Sequence, residues 1–293
     1  MHALSRAAPP VRLGLTVPYA DSLHVDLLPG ARRLLAEHRQ ALPQRDDLCG
    51  AFCGALALRA AGIEVVDGEP VDQDAVALVA GSVVSAVPDP HNLPRGERGR
   101  RDYRLELPRI EDGACSGSTP AGLVHAVQRL SGGALTAIPY SGPWTAGALA
   151  CMFDLLGALE RPVSLVANLA TRHLWGSDAR LAQLLDYLLD GTQTGPAPDW
   201  DVGHFACVIG HAVGPAGTLY GIADTYPSLG GRGVHMQPAE RLARALQRPD
   251  MAAGGVIVIV FAEDAAALRS GASDLGLREG AWDNGTVMPE MLA

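Results

Sequence analysis

Three short segments hold residue types that could do nucleophilic chemistry: Gln44-Arg-Asp-Asp-Leu-Cys49-Gly, Asp201-Val-Gly-His204-Phe-Ala-Cys-Val-Ile-Gly and Tyr220-Gly-Ile-Ala-Asp224-Thr-Tyr. The first puts Cys49 at the predicted start of a helix, where unpaired N–H groups and the positive end of the helix dipole favour a thiolate. An imidazole alongside can hold that thiolate and move protons, and a carboxylate on its far nitrogen fixes the tautomer. His204 supplies the imidazole. Gln44, five residues before Cys49, is placed so that its amide could join the Cys49 N–H in binding an oxyanion. The carboxylate has competing candidates. Asp224 lies on the strand after His204 and would reach it across a hairpin, whereas Asp72 reads on its own as a helix N-cap, with Asp74 in the first turn behind it.

The remaining thiols and imidazoles have plainer readings. Cys53 lies one helical turn beyond Cys49 and is expected in the core, and strand alternation turns Cys207 to the opposite face from His204. His173 and His211 are weaker competitors for the base. The five cysteines show no CxxC spacing, so neither a disulfide framework nor a zinc site is expected. Gly203, before His204, leaves room for close approach of a ligand. The Gly-rich Leu229-Gly-Gly-Arg-Gly segment lacks the strand-before, helix-after setting of a nucleotide loop and reads as a turn.

These residues need elements to position them. Leucines at 28, 34 and 35 predict an amphipathic helix over 28–39. Leu48, Phe52, Leu56 and Leu58 among small residues predict a buried helix from Cys49-Gly50 to Gly62. A helix capped by Asp72 follows and is stopped by Gly81. Thr119-Pro120 and Thr145 open two more, the first running to about Leu130 and the second to Leu159. Between the Asp72 helix and these two lies a breaker-rich loop over 87–109, carrying Arg95, Arg98, Arg100, Arg101 and Arg104 and expected to be mobile. Further on, 162–169 reads as a strand, 177–189 as an amphipathic helix, and 203–211, 218–224 and 255–261 as strands, the first two joined at Gly214-Pro-Ala-Gly217 in a hairpin turn. The reading is α+β, with a mainly helical part over 1–160 bearing Cys49 and an α+β part over 161–293 bearing His204.

Composition narrows the chemistry further. Of 293 residues, 48% are hydrophobic and 19% charged, with 32 acidic against 23 basic giving a net charge of −9, so neither nucleic acid nor an anionic membrane is the expected partner. Every basic residue is arginine, which removes Schiff-base lysines and lysine-bearing phosphate loops. No apolar run approaches the ~20 residues of a membrane helix, and Pro9 and Pro10 stand where a signal peptide would be apolar, so the expected location is the cytoplasm.

The order of a glutamine, a cysteine at a helix start, a Gly-His-Phe strand and a following Asp strand resembles the papain-like thiol hydrolases, including bacteriocin-processing peptidases. Two departures stand out: the sequence reads Asp47-Leu48-Cys49 where those enzymes have Asp-Cys-Gly, and Gln44 sits one place too close. The length, the Asp-x-Leu-Cys-Gly helix start, Asp72-Gln-Asp74 and Gly203-His204-Phe205 more closely resemble the Dieckmann cyclases of tetramate and pyridone biosynthesis. That resemblance implies a papain-like scaffold with a helical subdomain packed on an antiparallel sheet and the site in the cleft between them. It implies a triad whose aspartate lies between cysteine and histidine, ranking Asp72 ahead of Asp74 and of Asp224. It implies further that Cys49 takes a β-ketoacyl-aminoacyl group from the phosphopantetheine of a carrier protein and that ring closure releases the product. No metal or organic cofactor would be needed. The arginine cluster would then dock the acidic carrier or the pantetheine phosphate. A cysteine peptidase or amidase, and a non-catalytic carrier-binding module, are the alternatives.

Overall fold

The computed structural model describes residues 22–287. Along the chain the elements are β1 (His24–Leu27), α1 (Ala31–Ala41), α2 (Cys49–Ala60), β2 (Val65–Val66), β3 (Glu69–Pro70), α3 (Gln73–Ala80), β4 (Val84–Ser85), β5 (Arg109–Ile110), α4 (Pro120–Leu130) and β6 (Leu135–Ser141). There follow α5 (Ala146–Gly157), β7 (Ser164–Ala170), α6 (Leu181–Asp190), β8 (Gly203–Val213), β9 (Thr218–Ala223), β10 (Val234–Pro238), α7 (Ala239–Gln247), β11 (Gly255–Phe261), α8 (Ala265–Asp274) and β12 (Arg278–Glu279). The result is an α+β fold in which a helical subdomain packs against an antiparallel sheet. The Pro9-Pro10 segment lies outside the described residues. Among those described, no helix is long and apolar enough to cross a membrane.

The main sheet runs β10-β9-β8-β7-β11-β6-β12, antiparallel throughout, and β1 lies along the outer half of β8. The division at residue 160 therefore follows the chain and not the sheet, because β1 and β6 precede it yet pair with β8 and β11. β6 carries no clean alternation of apolar and polar residues, since most of it is buried. β10 has a weakly apolar sequence and earns its place only by pairing with β9.

Local signals account for the helices. Asp72, Thr119 and Thr145 each accept a hydrogen bond from the backbone N–H three residues on, satisfying donors a helix start leaves open. Gly30, in the left-handed region at φ 82°, delays α1 to Ala31, three residues after the apolar pattern begins. α2 is buried almost all round, as its Ala- and Leu-rich sequence requires, with α1, α3 and α4 about it and β7 and β8 beneath. Gly50 permits this approach, for a Cβ there would meet Leu123 at 2.9 Å and Phe205 at 3.1 Å. Gly214 N–H donates to the Gly217 carbonyl across the β8–β9 turn. β9 stops at Ala223, one residue before Asp224, which therefore leaves the strand ladder.

Candidate active site

A cleft of about 380 Å³ opens where the start of α2 meets the start of β8, and its lining includes Gln44, Cys49 and His204. Cys49 is the first residue of α2 and partly exposed. Leu48 stands at the capping position with no side-chain oxygen to offer; its carbonyl accepts from the Phe52 N–H at 2.8 Å, while the N–H groups of Cys49, Gly50 and Ala51 have no partner among the described residues. Of these three residues Cys49 lines the cleft, so its N–H is the donor available to a ligand.

His204 is buried, and its Nε2 lies 2.9 Å from Asp224 Oδ1. Nδ1 makes no hydrogen bond among the described residues, and Cys49, which lines the same cleft, adds to holding the imidazolium. Burial pulls against a charged imidazole here, but the Asp224 charge and hydrogen bond, assisted by Cys49, override it and push the His204 pKa up to about 10. The same contest runs the other way for Asp224: burial would raise it, yet His204 and then His235 hold it well below the usual carboxylate range. The edge of Trp200 covers His204, with ring centroids 4.8 Å apart at 63°, and shields the ion pair from water.

Asp224 is gripped on every side. Its Oδ1 also accepts from the Thr225 N–H at 2.7 Å, and its Oδ2 lies 3.2 Å from His235 Nε2. Gln237 fixes the His235 tautomer: its Oε1 accepts from Trp175 N–H at 2.8 Å, so its amide donates to His235 Nδ1 at 3.0 Å, and the His235 proton sits on Nε2, facing the carboxylate. From α1, His38 Nε2 donates to the Asp224 backbone carbonyl. Burial lowers the His38 pKa, against the pull of Asp224.

The expectation that Asp72 partners His204 is corrected. Asp72 caps α3 through Ala75 N–H at 2.9 Å and pairs with Arg104 at 2.9 Å, so both its oxygens are engaged away from the cleft. Asp74 is likewise turned elsewhere, onto Arg45 Nη1 and the Arg104 N–H. This still serves the site, since Arg45 follows Gln44 and Asp74 thereby anchors the loop that presents Cys49. Asp224 fills the place beside His204.

Gln44 stands in the cleft wall with its N–H bonded to the Thr225 carbonyl at 3.0 Å, next to the acid. Its Oε1 is buried without a partner, and its amide nitrogen makes no hydrogen bond among the described residues. Cys53 and Cys207 lie together in the core, where burial and then their mutual contact raise the Cys53 pKa. His173 is beside Arg244 and Asp250, and His211 packs on Phe153 and Tyr220, both outside the cleft. The 87–109 loop is tied down instead of free: Arg100 holds the Pro43 carbonyl and Asp102, Arg101 the Ser85 and Ala86 carbonyls, and Arg104 the acids near α3. Arg95 and Arg98 stay exposed.

A model of a family of unknown function, DUF6885, matches residues 28–283. The chain belongs to that family. No curated protein matches it. The region shared with DUF6885 takes in Gln44, Cys49, His204 and Asp224 together.

Several residues of the cleft carry no sequence signal of their own. Trp200 and Asn168 line it, and Asn168 donates to the His204 carbonyl at 3.4 Å while accepting from Trp282 and Arg248. Arg248 follows α7 and reaches the same wall. The space that Gly203 leaves open is occupied by this guanidinium, whose Nη2 a Cβ would approach to 2.7 Å. Among the described residues no group of His, Cys, Asp and Glu is arranged to hold a metal ion.

Proposed function

We propose that this protein is a cysteine-dependent acyl-thioester enzyme, and specifically a Dieckmann cyclase on a papain-like scaffold. The observation that carries the reading is Cys49 at an uncapped helix start beside a buried His204–Asp224 pair in an open cleft. The Cys49 sulfur attacks the thioester carbonyl of a β-ketoacyl-aminoacyl group, the new C–S bond replaces the one to pantetheine, and His204 gives the departing thiol its proton. The Cys49 N–H and the Gln44 amide receive the oxyanion. His204, now neutral, takes the acidic proton between the two carbonyls of the bound chain. That carbon attacks the acyl carbonyl, the ring closes, and the Cys49 thiolate leaves. Trp200 over His204 restricts the water that would divert the acyl-enzyme to a linear acid. An acidic carrier protein would deliver the substrate, with Arg95 and Arg98 among the exposed arginines of the loop that could meet it.

A cysteine peptidase or amidase is the second reading, and one observation favours it: the acid beside His204 follows the histidine in the chain, as the peptidase resemblance expects. The deciding experiment incubates purified protein with a β-ketoacyl-aminoacyl thioester of a pantetheine mimic, beside Cys49→Ala and Cys53→Ala variants, with products read by mass spectrometry. Ring product from wild type and Cys53→Ala, and none above background from Cys49→Ala, is the expected result. Linear acid alone, or cleavage of a simple amide, assigns a hydrolase. An untouched thioester, with binding of a phosphopantetheinylated carrier protein in a parallel titration, assigns a binding module.

A further inference from the structure

Arg248 is a charge in the cleft wall that the chemistry above leaves unused. Arg248 is only 5% exposed, and its Nη1 is committed to Asn168 Oδ1 and the Ala253 carbonyl. Nε is buried with no partner, Nη2 makes no hydrogen bond, and no carboxylate pairs with the guanidinium among the described residues. Two features of the chain are given over to holding it there. Arg248 sits in the left-handed region at φ 47°, at the end of α7, where the following Pro249 forbids further helix and a glycine would carry least strain. Gly203 lacks the Cβ that would collide with Nη2. Burial pulls the Arg248 pKa below that of an ordinary arginine, and the neighbouring charge that opposes the fall belongs to Cys49.

The acidic residues of the cleft do not neutralise it. Asp46 and Asp47 accept from the N–H groups of Arg100 and Ser85, Asp89 from that of His91, and Asp201 from Arg172. A buried guanidinium stays charged at any pH the fold survives, and leaving it unpaired is costly unless a ligand brings the counter-charge.

We propose that Arg248 is the anion-binding residue of the cleft, and that the acyl donor carries a negatively charged oxygen, a carboxylate or a delocalised enolate, close to the carbonyl that Cys49 attacks. This rests on Cys49 being the nucleophile, which the first of two measurements tests separately. In that measurement the Cys49 sulfur displaces iodide from iodoacetate or from neutral iodoacetamide, and the rates are read by mass spectrometry on the Cys49 peptide. The iodoacetate-to-iodoacetamide ratio is expected to fall about tenfold in Arg248→Met, the order of a lost charge-assisted contact, and to return in Arg248→Lys; the ratio cancels any change that loss of the nearby positive charge makes in the Cys49 thiolate itself. An unchanged ratio in Arg248→Met overturns the proposal. Should Cys49 react no faster than the exposed Cys151, the nucleophile reading fails.

The second measurement is independent of that thiol. Melting of Cys49→Ala is followed with malonate, with acetylacetone and with sodium chloride at matched ionic strength. A rise with malonate assigns a carboxylate and a rise with acetylacetone an enolate, each abolished by adding Arg248→Met. No rise with either probe removes the anion site, whatever Cys49 does.

Discussion

Asp74 and Asp224 are the two carboxylates sealed inside the described part of the molecule, 0% and 2% exposed, and they are held by different kinds of donor. Asp74 takes the Arg45 guanidinium at 2.5 Å and the Arg104 N–H at 2.7 Å. Asp224 takes two imidazoles, His204 at 2.9 Å and His235 at 3.2 Å. Both oxygens of each carboxylate accept hydrogen bonds, so burial and hydrogen bonding do not separate them. The acidity of the partner does. A guanidinium does not release its proton, so the Asp74 network can only hold the Gln44–Asp47 loop in place. An imidazole can release one, so the same arrangement around Asp224 can take part in a reaction.

The largest effect expected from this difference is on reactivity. Asp224→Asn preserves shape but loses the charge that orients and holds His204, and acylation of Cys49 by a thioester is expected to slow by about 10³- to 10⁴-fold, as when the acid of a catalytic triad becomes an amide. A loss below tenfold, measured by the rate of acyl-enzyme formation, would make Asp224 a structural residue like Asp74. The converse test is Asp74→Asn, which leaves Arg45 buried and underpaired. It should cost about 3–5 kcal/mol in urea unfolding while the folded fraction reacts at the wild-type rate.

A pH series sharpens the comparison from the side of stability. The His204 pKa is raised to about 10 from an ordinary 6.5, so the folded state binds its proton more tightly than the unfolded chain does. The stability this contributes is complete below about pH 6.5 and is lost as pH rises towards 10. Urea midpoints of the wild type should fall across that window, and those of Asp224→Asn should fall much less. Parallel profiles would mean that the His204–Asp224 pair contributes no proton-linked stability. The smallest effect belongs to Asp72→Ala, which removes a helix cap and one exposed partner of Arg104. It should cost about 1 kcal/mol and leave Cys49 alkylation unchanged, whereas a loss of reactivity there would restore Asp72 to the site.

The parts of this site that could be read along the chain are those whose causes are local. Cys49 at a helix start, the caps at Asp72, Thr119 and Thr145, and the turn between β8 and β9 each depend on residues within a few positions of one another, and the structure has all of them. The arginine loop illustrates the limit. Its breakers and charges suggest a free segment, but Arg100, Arg101 and Arg104 reach acceptors far back along the chain, from Pro43 to Ala86. Composition shows that the charges exist, not whether folding brings their partners within reach.

By itself the sequence determined an α+β chain with a thiol at the start of a buried helix and a histidine on a strand, because helix capping and hydrophobic periodicity act over one or two turns. Which acid meets His204 was decided only in three dimensions. Asp72 and Asp224 are equally good carboxylates, and the choice fell to strand register, which ends β9 one residue before Asp224, and to Arg104, which holds Asp72 away from the cleft. Arg248 had no pattern to announce it. Its role depends on the absence of a partner, and an absence around one side chain exists only once every other residue has been placed.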